Sequence, residues 1–133
     1  MPTVVHVGPI SSPGGIQTVI GTLSSNPPDG WTLETIESHS SGSYLSKLQA
    51  YNNAKKRLEE LANQNNDGLI VHLHAASDYS FLRKLRLAEH AHRHGGKIVF
   101  HIHSGNIVSW LGKKDRAKKL KQRLENSKAT IVC

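Results

Sequence analysis

The segment Gly68-Leu69-Ile70-Val71-His72-Leu73-His74-Ala75 decides the fold. Its short apolar, β-branched run after a glycine reads as a buried strand over Leu69–His74. A second copy of the pattern follows in Gly96-Lys97-Ile98-Val99-Phe100-His101-Ile102-His103-Ser104-Gly105, with a strand over Lys97–His103. Between them, Asp78–His94 spaces Phe81, Leu82, Leu85, Ala88 and Ala91 as one helical stripe. Ser77 and Asp78 supply a start signal and Gly95-Gly96 a stop. Strand, helix and strand in that order form a right-handed crossover between parallel strands.

The same alternation extends in both directions. β-branched runs at Thr3–Val7, Thr32–Glu37 and Ala129–Cys133 make five strands in all. Helical stripes fill the gaps: Gly15–Leu23 with Ile16, Val19, Ile20 and Leu23, and Tyr44–Gln64 with Leu45, Leu48, Tyr51, Ala54, Leu58 and Leu61. Lys113–Asn126 carries a thinner stripe of Ala117, Leu120 and Leu124. Five alternations predict an α/β fold: a doubly wound, Rossmann-like open parallel sheet of about five strands in order 2-1-3-4-5, with helices on both faces. The 133 residues suffice for one such domain and not for two. The chain stops inside its fifth strand, and the expectation is a single domain spanning 1–133 that belongs to a longer or two-chain protein.

Composition narrows the class. With 37% hydrophobic and 20% charged residues the chain is neither disordered nor membrane-spanning, and no secretory leader pattern opens it. A single cysteine, Cys133, excludes an internal disulfide and a cysteine metal site. A cytoplasmic location is the expectation. The net charge is +7, and nearly all of it lies between Lys113 and Lys128, where eight basic residues face two acids. This cluster lacks the aromatic interleaving or motif of a nucleic-acid binder, so nucleic acid is not an expected partner. One reading of Lys113, Lys114, Arg116, Lys118, Lys119, Lys121 and Arg123 is a solvated helix face. The other, with Trp110 and Leu111 alongside, is a peripheral contact with an anionic membrane surface.

Ligands of open parallel sheets bind beyond the carboxyl ends of the strands. The loop after the first strand, Gly8-Pro9-Ile10-Ser11-Ser12-Pro13-Gly14-Gly15-Ile16, ends in two glycines that open a helix. Gly14 and Gly15 suit a phosphate approached by backbone amides; the competing reading is a tight strand-to-helix turn. It is neither a Walker A loop nor the dinucleotide fingerprint. Each H-x-H places its histidines on one face of a strand. His74 and His103 lie close enough to the strand ends to meet a ligand, whereas His6, His72 and His101 are expected to be core histidines donating to carbonyls. His90 and His94 stand one helical turn apart with His92 opposite, read as a solvated helix end. No metal ligand is expected among them, although a histidine-dependent metal hydrolase stands as a third reading of the chain.

Taken together, these segments resemble the N-terminal domain of a family 4 glycosyltransferase with the GT-B fold. The resemblance rests on His6-Val7-Gly8-Pro9 followed by Pro13-Gly14-Gly15-Ile16, and on Gly68-Leu69-Ile70-Val71-His72-Leu73-His74, similar to the family's D-[IV]-[IV]-H-x-H. Gly96 to Gly105 is similar to its K-[IV]-V-x-x-x-H-[GS]-G, and Lys128-Ala129-Thr130-Ile131-Val132 to its A-D-x-[IV]-[IV], with Thr130 where Asp is common.

The resemblance implies the acceptor-binding half of a retaining, nucleotide-sugar-dependent transferase of cell-surface polysaccharide or glycolipid synthesis. Its acceptor would be a sugar or a lipid-linked species, at the inner membrane face. By the same likeness Gly14 and Gly15 face the donor phosphates, and His103 is the catalytic histidine, facing the donor sugar. His74 and Ser104 line the acceptor side. No cofactor is implied, since the nucleotide-sugar is itself the donor substrate. The family's second domain carries an E-x7-E motif, and no two glutamates here are eight apart. A C-terminal donor-binding domain absent from this chain, or a partner chain, is therefore expected, and the isolated 133 residues are expected to be inactive. The alternative class is a stand-alone basic module for anionic lipid or nucleic acid.

Overall fold

A computed structural model describes residues 2–9, 15–38, 43–65, 68–76, 78–103, 107–112 and 115–133, without the side chains of Asp78 and Tyr79. In chain order the elements are β1 (Thr3–Gly8), α1 (Gly15–Ser24), β2 (Thr32–Glu37), α2 (Tyr44–Gln64), β3 (Leu69–Ala75), α3 (Asp78–Arg93), β4 (Lys97–Ile102), α4 (Ile107–Leu111), α5 (Arg116–Asn126) and β5 (Thr130–Val132). All strand pairs are parallel, and the sheet runs β2-β1-β3-β4-β5, the order read from the alternation. The basic segment departs from expectation. Its helix, α5, starts only at Arg116, after Asp115, whose φ of 56° is left-handed, and a separate short helix, α4, precedes it.

Strand parity divides the side chains. Val5, Val7, Val71, Leu73, Ala75, Ile98 and Phe100 point to one face and are buried there. Over them lie Ala54, Leu58 and Leu61 of α2, Phe81, Leu85 and Ala88 of α3, and Leu120 and Leu124 of α5, in one apolar core. Phe81 meets Phe100 edge-on at 5.0 Å between ring centroids, which fixes α3 to this side. Each fully buried valine, leucine, isoleucine or phenylalanine in this core contributes roughly 1.5–3 kcal/mol of transfer free energy.

The other face carries all the strand histidines and is covered over β1 by α1. Gly8 makes that approach possible. A Cβ there would come within 2.6 Å of Ile20 Cδ1 and 3.3 Å of His74 Cβ, so helix, strand end and histidine close up on a missing side chain. At the far end of α3, Gly95 turns the chain with φ 94°, the stop predicted for that helix.

Candidate functional site: a histidine cluster at the strand tips

Parallel pairing in register turns two H-x-H patterns into one cluster. His6 pairs with His72 across β1 and β3, and His74 with His101 across β3 and β4. All four therefore share a face. His103 follows on the same parity, held beyond the end of β4 by its N–H donating to Ala75 O at 2.8 Å. Five imidazoles thus gather on three adjacent strands.

They bond to one another diagonally. His6 Nδ1 and His74 Nε2 share a hydrogen bond of 3.0 Å, and His74 Nδ1 and His103 Nε2 one of 2.9 Å. His72 Nε2 and His101 Nδ1 share a third, 3.1 Å long. Stacking completes the array: His72 on His74 at 4.2 Å with rings 8° from parallel, and His101 on His103 at 3.9 Å. The expectation that His6, His72 and His101 donate to carbonyls is corrected here, since the ring partner of each is another imidazole. The reason is register, which brings ring to ring before any backbone oxygen.

Electrostatics keeps the cluster neutral. Burial, then the neighbouring imidazoles, pushes His74 down to about 2 and His72 down to about 4. His6 and His103 are lowered by burial and then by His101, and His101 is lowered by burial alone. Uncharged rings offer hydroxyls both a donor and an acceptor, and they offer a phosphate no positive charge. His6, His72 and His74, and likewise His74, His101 and His103, bring ring nitrogens within 4.8 Å of one another, a spacing that would serve a metal ion only after the rings turn. A ring nitrogen binds metal along its in-plane lone pair, and near-parallel stacked rings such as His72 and His74 cannot aim those pairs at one point without turning.

The predicted site residues fall into four groups. His103 is half-buried at the tip and within reach of a ligand. His74 is 0% exposed, which puts it out of direct reach of a ligand, and its ring bonds to His103 and His6. Gly15 is the first residue of α1, exposed, with open space where a Cβ would stand. Gly14, Ser104, Lys113 and Lys114 lie outside the described residues.

The basic helix divides as well. Arg123 is turned inward, its Nε donating to Glu89 Oε2 at 3.1 Å in a two-point ion pair. Arg116 donates to Trp110 O at 3.0 Å and stacks on that indole. Lys118, Lys119 and Lys121 are exposed. No helix among the described residues is long and apolar enough to cross a membrane. A shallow groove lined by Ile70, His92, Gly96, Lys97, Val99 and Thr130 opens where β4 begins, away from the strand-tip histidines.

Two features escape sequence reasoning. Lys84 of α3 is 1% exposed, and burial brings it down to about 8. Glu59 of α2 meets His90 and His94 of α3, whose helical spacing was visible but whose acidic neighbour was not. Neither a family model nor a curated protein nor a solved structure matches this chain.

Proposed function

We propose that the chain is the acceptor-side, Rossmann-like domain of a retaining nucleotide-sugar-dependent glycosyltransferase, in cell-surface polysaccharide or glycolipid synthesis. The observation that carries this reading is the line His6–His74–His103, which runs across three strand tips and ends at a half-buried imidazole. With its Nε2 committed to His74, His103 keeps Nδ1 for a sugar oxygen. An uncharged ring in a fixed orientation suits a polyol, because it can meet a hydroxyl without desolvating a charge. As positive charge builds at the anomeric carbon, a polar group set in advance against the sugar lowers the barrier. The sequence resemblance adds Gly14 and Gly15 at the donor phosphates and Ser104 beside the acceptor.

The reading also sets what this domain lacks. The neutral histidines cannot balance a diphosphate and the start of α1 at Gly15 offers it no full charge, so the cations that complete the balance belong to a second domain, on the same chain or on a partner. That domain must also close over the strand tips to keep water from the sugar. The test uses the chain alone and then assembled with its second domain. Alone, it should bind nucleotide-sugars no tighter than about the millimolar range and transfer nothing to lipid-phosphate acceptors. Assembled, His103→Ala should cut turnover about tenfold or more, a barrier increase of about 1.4 kcal/mol, while the domain still folds with the wild-type circular dichroism. Sustained transfer by the isolated chain, or wild-type turnover in His103→Ala, would overturn the reading.

A further inference from the structure

Away from the strand tips, α2 and α3 bring one carboxylate and two imidazoles together. Because α3 returns from the tip of β3 to the start of β4, its last turn lies at the opposite end of the sheet from His103. His90 and His94 are one turn apart on it, with ring centroids 4.7 Å apart and planes inclined by 58°. From α2, Glu59 Oε1 reaches to 2.7 Å from His90 Nε2 and 3.7 Å from His94 Nε2. His90 is only 5% exposed, and its Nε2, wholly out of solvent, has no hydrogen-bond partner. The glutamate oxygen is near enough for a hydrogen bond but lies off the direction of the ring nitrogen. Two ligand atoms this close that are not aimed at each other are free to aim at a third point.

We propose that Glu59, His90 and His94 form a binding site for a divalent late first-row transition ion, zinc foremost, which pins α2 to α3. A tetrahedral ion with bonds of about 2.0–2.1 Å holds its ligand atoms about 3.3 Å apart. The three atoms here already lie within 4.8 Å of one another. The adjustment falls on His94 and Glu59, whose side chains are 37% and 40% exposed and free to move, while His90 stays fixed in the helix interface. Their exposure is also the entry path, and water takes the fourth position. Two imidazoles select against magnesium and calcium, which prefer oxygen ligands. Lys55 and Arg93 are the cations that bear on His90, and they lower the affinity without occupying the site. The strand-tip cluster has more histidines, but its rings are committed to one another through three hydrogen bonds, whereas His90 Nε2 has no hydrogen-bond partner.

The site is independent of the sugar-transfer reading, and its test is separate. Zinc is titrated calorimetrically into the whole chain in a metal-free, non-chelating buffer, and cobalt(II) is added to parallel samples to record visible absorption. The wild type should take up one equivalent of zinc at this site, with the strong absorption of tetrahedral cobalt and a higher melting temperature. Glu59→Gln should weaken that binding tenfold or more, and His94→Ala should abolish it along with the melting shift. Both positions are exposed, so the variants should keep the wild-type circular dichroism. His103→Ala, altered only at the strand tips, should bind as the wild type does. No zinc uptake by the wild type, unchanged uptake by His94→Ala, or its loss in His103→Ala would each overturn the proposal.

Discussion

Acidification from about pH 7 to about pH 5 should cost this domain a large part of its stability, and the histidine cluster sets the amount. In the unfolded chain an imidazole titrates near 6.5, whereas His72 and His74 in the folded chain are held at about 4 and about 2. The folded state therefore binds fewer protons than the unfolded state throughout that interval. Stability is fully present above about pH 6.5 and falls as the pH drops below it. A drop of about 1.5 units below 6.5, at about 1.36 kcal/mol per unit, removes about 2 kcal/mol for each ring. The two together give about 4 kcal/mol at about pH 5, against the roughly 5–15 kcal/mol of an ordinary domain. His6, His90, His101 and His103 are lowered too, so they act in the same direction. Urea unfolding followed by circular dichroism at about pH 7, 6 and 5 measures this directly. The midpoint should fall steeply over the series, by an amount equivalent to several kcal/mol. Equal midpoints at the two ends would show that the imidazoles take up protons freely in the folded chain, and that the cluster is neither buried nor mutually repelling as described.

Lys84→Met should stabilise the domain near neutral pH by about 1–3 kcal/mol, because burial holds the lysine at about 8 against 10.5 when free, and methionine carries no charge to desolvate. Stability of the wild type should correspondingly rise between about pH 8 and pH 10.5, a slope that Lys84→Met loses; a variant less stable than the wild type would refute this. Replacing Lys118, Lys119 and Lys121 together by Gln should weaken binding to anionic vesicles and flatten its dependence on salt, by about 1 kcal/mol for each lysine near the surface. Arg123→Gln, by contrast, should show its effect in thermal melting, since its charge already serves Glu89; vesicle binding that ignores the three lysines would leave this helix as a solvated face.

How far the sequence reveals this molecule depends on the range of each interaction. The long helix Tyr44–Gln64 and the strand Thr32–Glu37 begin and end where the pattern places them; the helix buries Ala54, Leu58 and Leu61 as a stripe, and the strand, with Ile36 buried, is set by its β-branched run. Five residues at Ile107–Leu111 make little more than one turn, too few for a period to register, so α4 was not anticipated. In the site, parity alone puts His72 with His74 and His101 with His103. Whether His101 then faces His74 or Leu73 depends on the register between strands, which the intervening helix and turns set at a distance. Glu59 with His90, and Glu89 with Arg123, depend on the rotation of one helix against another. Nothing within either helix encodes that angle.

The bonding of His74 has one further consequence. A neutral imidazole carries a single ring proton, and both of its nitrogens here have imidazole partners. If Nδ1 of His74 donates to His103, then Nε2 must accept from His6, and the tautomers of all three rings follow. Reversing one bond reverses the other. The row therefore has two collective settings: His103 presents an N–H outward in one and a lone pair in the other. An oxygen bonded to His103 Nδ1 would favour one setting by what it needs, and the tautomer of His6, on the far side of β3, would be fixed with it. Passing from one setting to the other takes one proton in at one end of the row and one out at the other, at His6 Nε2 and His103 Nδ1, and moves no heavy atom.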